Sequence, residues 1–250
     1  ASANSNSKLE SIQGEFVIKL SKLDSEILMN KTIFKRLDNF YQLRSAYNLN
    51  SEQIRVLELY RQKFLRSGVR LSKPKKERLA DIMSKLSELG TKFSQNILSE
   101  ERDWEMVLTK KDLGGLPSDL ISILKQSGID RNQVMPTLTL SRSHLIPFLE
   151  NSSRRDLREK AYKAWVSRGA NKNKNNNFSI INEILGLRNE RAILLGYKNF
   201  ASFKLETEMA SNVETVKSFL KSVWEPAKLK ALHEYKELQN LIRQDDAGMR

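Results

Sequence analysis

Residues 71–98 read LSKPKKERLADIMSKLSELGTKFSQNIL, and the spacing of their apolar side chains decides the fold class. Leu79, Ile82, Leu86, Leu89, Phe93 and Ile97 recur at intervals of three and four, the repeat that gathers side chains on one face of an α-helix. Ser72 can cap the first turn, and Pro74 is tolerated there because that turn does not need its amide. The spacing predicts one long helix reaching about Arg102. Because an amphipathic helix gains most of its stability by packing its apolar face, the stripe is expected in a core.

Upstream, Asn50 and Gln53 have the spacing of a capping box. Leu57, Tyr60 and Phe64 follow at helical intervals, and Gly68 supplies the left-handed residue that ends such a helix. Downstream, the segment from Asp112 to Pro117 contains Gly114, Gly115 and Pro117 and reads as a turn. A short helix to Gln126, ended by Gly128, is expected next. Val134 to Leu140 alternates in the strand manner, with Thr137 and Thr139 facing away from Leu138 and Leu140, so one strand or hairpin is expected at 134–140.

After Asn151 the pattern is helical again through Leu157, Ala161 and Trp165 to Gly169. The asparagine- and lysine-rich tract 171–177 reads as a solvated loop. A helix from about Phe178 carries Ile181, Ile184, Leu187 and Leu194 before Gly196. Ser211 and Glu214 form a second capping box that opens a long helix towards Ile242, which Pro226 should kink. With no fixed-period repeat and no interdomain linker, residues 1–250 read as a single helical region. The expected fold class is mostly α, a multi-helix body with one small β element.

The chain has 43 lysines and arginines against 30 aspartates and glutamates, a formal charge of +13. Such a charge attracts polyanions, but the basic clusters Lys73–Arg78 and Arg154–Arg158 are interrupted by acids and carry no interleaved aromatics. Solvated helix faces are therefore preferred over a nucleic-acid groove. The chain has no cysteine, which excludes disulfides, thiolate metal sites and cysteine nucleophiles. No apolar run is long enough to cross a bilayer, and the start, Ala1 to Leu9, is polar. A cytoplasmic location is expected.

Nucleotide motifs are missing: the ten glycines include neither G-x-G-x-x-G nor G-x-x-x-x-G-K. No G-x-S-x-G elbow is present, and His144, beside Leu145, Ile146 and Pro147, reads as a partly buried packing residue. His233-Glu234-Tyr235-Lys236-Glu237 differs from the zinc-protease motif H-E-x-x-H in its fifth residue. Two ligands do not make a zinc site, so a surface ion-pair pattern is the preferred reading. Glu100-Glu101 and Asp245-Asp246 read as ordinary surface charge.

Long strings carry a resemblance. Leu71 to Leu98 is similar to the helix of the thimet oligopeptidase, oligopeptidase A and peptidyl-dipeptidase family that carries L-S-x-x-x-x-x-R-L and ends in F-S-Q-N. Leu28 to Phe34, Tyr60 to Phe64 with Gly68, and Gly115-Leu116-Pro117 with Asp119-Leu120 resemble the same family, in family order. So do Arg154 to Tyr162 and Glu183 to Tyr197, the last with its I-L-x-L-R-x-E-x-A-x-L-L-G-Y pattern.

The resemblance implies a neurolysin-like N-terminal lobe, one of two helical lobes enclosing a channel for short peptides. It also implies a zinc metallopeptidase whose H-E-F-G-H motif and later glutamate ligand lie in a C-terminal half. It assigns no catalytic, cofactor-binding or metal-binding residue to this chain, so zinc is expected in the full-length family and not on these 250 residues alone. The expected partner is the catalytic half, on the same or a separate chain. Asp245 to Arg250 fits the family poorly, which suggests an interrupted gene product or a piece of one. The competing expectations are a helical interaction scaffold that has lost catalysis and, ranked lower, a basic nucleic-acid-binding module.

Overall fold

A computed structural model describes residues 16, 19, 20, 23, 24 and 26–248; the polar start Ala1–Leu9 and the last two residues of the 245–250 tail lie outside them. The chain divides into two units, one made of the residues up to Lys76 with those from Asn189 onward, the other Glu77–Arg188.

In the first unit, α1 (Lys31–Gln42) is capped by Asn30, whose side chain accepts from the Thr32 and Ile33 amides. The capping box that opens α2 (Ser51–Arg66) forms as its spacing predicts: Asn50 Oδ1 accepts from Gln53 N at 2.9 Å and Gln53 Oε1 from Asn50 N at 3.0 Å. Gly68 ends the helix at φ +85°. Leu57 and Phe64 are buried, whereas Tyr60 faces out. Arg61, the next residue, is held by Asp38 at 2.6 Å. Phe34, Phe64 and Val69 form this unit's small core, with Leu28, Leu37 and Leu65 against it.

The long helix α3 (Lys73–Asp103) spans the predicted stripe. Leu79, Ile82 and Leu89 are buried, and Leu86, Phe93 and Ile97 are half-buried. The second unit's main core is built after it. Strand β1 (Glu105–Val107) pairs antiparallel with β2 (Thr137–Thr139), Met106 opposite Leu138. All three β2 residues are buried, so the strand is covered on both faces rather than half-solvated.

Between the strands lies α4 (Ser118–Asp130), which runs straight through Gly128. Gly128 was expected to end this helix; instead it lets the helix pass the Met135 carbonyl, whose oxygen would lie 2.3 Å from a Cβ there. Leu120 and Leu124 from α4 pack with Leu138, Leu140, Leu145 and Phe148. Each such buried side chain contributes roughly 1.5–3 kcal/mol.

Helix α5 (Arg142–Asn151) contains Pro147 and lies where no helix was expected. Helix α6 (Arg155–Val166) adds buried Ala161, and Gly169 follows with φ +70°.

Helix α7 (Phe178–Leu194) ends before Gly196, but its buried positions are Ile180 and Ala192 while Ile181 is exposed. After the short α8 (Phe200–Leu205) comes α9 (Val213–Gly248), with Pro226 inside it. Its cap is displaced by one residue from the expected one. Ser211 takes φ 58°, and Asn212 Oδ1 accepts from Thr215 N at 2.8 Å. The described residues thus form a mostly helical protein with one two-stranded sheet, and no described helix is long and apolar enough to cross a membrane.

Candidate functional site

The two histidines bear first on chemistry. His144 lies near the start of α5, and its Nδ1 is 2.9 Å from Thr139 Oγ1 of β2. Burial, with the Arg131 charge adding to it, pushes its pKa below the ordinary value. A neutral imidazole bonded to a threonine ties helix to strand, in keeping with the packing role its apolar neighbours suggested.

His233 projects from α9 with most of its side chain exposed, 3.5 Å from Glu237 Oε2, while Glu234 turns to Lys230 at 3.6 Å. These are i,i+4 surface pairs. Among the described residues no three histidine, aspartate or glutamate side chains are grouped to hold a metal ion. A single exposed His–Glu pair does not fit zinc, which needs three protein ligands in a catalytic site and four in a structural one.

The acidic pair Glu100-Glu101 is not ordinary surface charge. Glu100 is only 8% exposed. Its carboxylate accepts from Gly169 N at 2.6 Å, Asn173 Nδ2 at 2.7 Å and Asn171 Nδ2 at 3.0 Å. Burial disfavours its charge, but the bonds from Asn173, the Gly169 amide and Asn171 outweigh it and hold the pKa below the usual carboxylate value. Its neighbour Glu101 pairs with Arg168.

One turn back on α3, Asn96 Nδ2 donates to Asn177 Oδ1 at 2.8 Å, and Asn177 Nδ2 donates to the Phe93 carbonyl at 3.2 Å. The tract 171–177 is therefore fastened to α3 at both ends rather than being simply a solvated loop. An open cleft of about 460 Å³ lies beside it, lined in part by Glu100, Asp103 and Trp104. The signal for Glu100 was in the sequence: it continues the three-and-four spacing of the stripe beyond Phe93 and Asn96.

Among the described residues, α9 carries a long exposed apolar face. Leu220, Trp224, Ala227, Ala231, Tyr235, Leu238 and Ile242 recur at three and four along one face, and all are exposed. Leu220, Trp224 and Leu238 are each about three-fifths exposed. Such a stripe spans roughly 33 Å at 1.5 Å per residue, and a contiguous exposed apolar face is the kind of surface that marks an interaction site.

The profile described as peptidase family M3 matches residues 148–249. Dipeptidyl carboxypeptidase of Escherichia coli is 26% identical over 98% of this chain and 36% of its own length. Oligopeptidase A of Salmonella typhimurium is 34% identical over 69% of this chain and 26% of its own. The probable cytosolic oligopeptidase A of Arabidopsis thaliana is 29% identical over 88% and 32%. The chain thus spans between about a quarter and just over a third of the length of these relatives. Matches that together run along almost the whole chain, to proteins named dipeptidyl carboxypeptidase and oligopeptidase A, mean that it belongs to the thimet oligopeptidase, oligopeptidase A and peptidyl-dipeptidase family, peptidase family M3.

Proposed function

We propose that this chain is the helical, non-catalytic portion of a zinc-dependent oligopeptidase, that it forms one wall of the channel admitting short peptides, and that alone it hydrolyses nothing. The observation that carries this reading is the mismatch in coverage: 98% of the chain aligns with dipeptidyl carboxypeptidase but accounts for 36% of that protein. Two features support it. The sequence contains no H-E-x-x-H, and α9 presents an apolar stripe of the kind a further part of the fold would cover. No hydrolytic step is assigned to these residues, because they do not fit the metal. The natural partner in this reading is the catalytic portion, and the cytosol is the proposed location.

Zinc analysis after dialysis, with a quenched oligopeptide assay, tests the proposal. The purified 250-residue chain should retain no stoichiometric zinc and give no chelator-sensitive cleavage. Co-expression with a catalytic portion carrying H-E-x-x-H should yield zinc-dependent cleavage. Chelator-sensitive cleavage by the pure chain would refute the reading.

The exposed face of α9 also favours a second reading, an interaction scaffold without catalysis. The two diverge in the co-expression test: a scaffold binds its partner through α9 without any peptide hydrolysis appearing.

A further inference from the structure

The first unit contains an open pocket of about 520 Å³ between α2, the last turn of α7 and α8. Four cations line it, Lys63, Arg66, Arg191 and Lys204, alongside the apolar Leu28, Leu59, Phe200 and Phe203.

Arg66 is well satisfied. Its Nη1 donates to the Phe203 carbonyl at 2.7 Å and to Glu206 Oε2 at 2.8 Å, and its guanidinium stacks 3.9 Å from the Phe203 ring centre. Lys204 is paired with Glu208.

Arg191 differs. Its guanidinium lies 4.9 Å from the same Phe203 ring, and its Nε is shut off from solvent with no hydrogen-bond partner among the described residues. Burial, together with repulsion from Arg66, lowers its pKa. A cation–π contact offsets part of the cost of burying a charge, but it leaves a buried N–H donor unpaired, which is unfavourable.

Helix geometry explains some of this charge. Lys63 and Arg66 lie in the last turn of α2, Arg191 in that of α7 and Lys204 in that of α8, where cations offset the helix dipole. Each helix end supplies no more than roughly half a negative charge. With Glu206 and Glu208 as the two carboxylates paired to these cations, the pocket keeps a small positive excess. A small excess suits a monoanion better than a doubly charged phosphate. The apolar lining suits a ligand whose charge sits at one end.

We propose that this pocket binds a carboxylate carried on an apolar group, with the carboxylate meeting Arg191 and the apolar group resting among Leu28, Leu59 and Phe200. With its Nε shut off from solvent, Arg191 donates to the carboxylate end-on, through parallel N–H···O bonds from Nη1 and Nη2, and Lys63 at the rim adds attraction. The chemistry fits either the free C-terminus of a peptide ending in a hydrophobic residue or a simple aromatic acid.

Calorimetric titration of the whole chain at low ionic strength distinguishes these. The ligands are N-acetyl-phenylalanine, 3-phenylpropionate, acetate and the uncharged N-acetyl-phenylalanine amide. The acids with a ring should bind at least tenfold tighter than both the amide and acetate. Tighter binding of N-acetyl-phenylalanine marks a peptide terminus, and tighter binding of 3-phenylpropionate marks a simple acid.

Arg191→Leu should weaken both acids at least tenfold. If that variant does not fold, Lys63→Gln replaces it: Lys63 is exposed, and its loss should cost about threefold in affinity without shifting the melting temperature. Equal binding of acid and amide, acetate binding as tightly as the ring-bearing acids, or affinity unchanged in the folded variant would overturn the assignment.

Discussion

Glu100 stands where the buried stripe of α3 turns polar, and its carboxylate collects three donors from the segment 169–173. Each donor would be left unpaired if the carboxylate were removed, so the residue should matter more than its neighbours in sequence suggest. Glu100→Gln keeps the shape but offers one oxygen where two accept, and it turns an NH₂ towards N–H donors. The expected loss in urea unfolding at pH 7 is about 1–3 kcal/mol. The pH dependence has a definite sign. An unfolded glutamate titrates near ~4.3, and the folded pKa lies below the ordinary value. The contribution is therefore full above the unfolded pKa and fades as pH falls through the folded one. The gap between wild type and Glu100→Gln should narrow below about pH 4; a gap that stays constant from pH 7 to pH 3 would show that the carboxylate charge is not what holds the asparagine tract.

Glycines inside the helices separate what the sequence discloses about an element from what it hides. Gly128 in α4 abuts the Met135 carbonyl, whereas Gly90 in α3 and Gly186 in α7 have open space where a Cβ would go. Gly128→Ala should destabilise by about 1–3 kcal/mol through overpacking, despite alanine's better helix propensity. Gly90→Ala and Gly186→Ala should each stabilise by up to ~1 kcal/mol. Thermal unfolding of the three variants checks this, and a stabilised Gly128→Ala would mean that the close approach to Met135 does not hold. From sequence alone these glycines look alike, because the obstacle at Gly128 comes from a residue outside its own helix. The same distinction runs through the fold. The box of Asn50 and Gln53 and the left-handed Gly68 rest on neighbours within a few residues and were legible. The pairing of β1 with β2 joins segments some thirty residues apart through only three residues each, too short for periodicity to register. Helix α5 was masked by Pro147. The start of α9 was misplaced because Ser211 and Asn212 both have side chains suited to capping, and the backbone's turn at Ser211 decides between them. Of the candidate site, the lack of an H-E-x-x-H constellation could be read directly, while Glu100 and Arg191 acquire their roles only from tertiary neighbours.

At the scale of the whole molecule the two long stripes have opposite fates. Leu79, Ile82 and Leu89 on α3 are buried, while Leu220, Trp224, Tyr235, Leu238 and Ile242 on α9 remain open to water. Both carry the same kind of periodicity, so the sequence alone does not tell a stripe that finds a partner within these residues from one that does not. Burying a leucine or phenylalanine side chain contributes roughly 1.5–3 kcal/mol, and several such residues in register along one helix are a strong drive to association. The formal charge of +13 opposes self-association, most strongly at low ionic strength where repulsion is least screened. The chain should therefore bind a hydrophobic dye at every salt concentration and form dimers or small oligomers as salt rises, rather than precipitate at low salt. Replacing Leu220, Trp224 and Leu238 together by glutamine tests the source of this behaviour, because exposed side chains can be exchanged with little effect on the folded units. The triple variant should keep its helical spectrum, lose most of its dye binding and sediment as a monomer at high salt. Co-expression with a catalytic portion of the family should silence dye binding in the wild type and fail to pair with the variant. Unchanged dye binding in the folded variant would locate the sticky surface elsewhere, and a dye-silent, monomeric wild type would mean that α9 has no need of a cover.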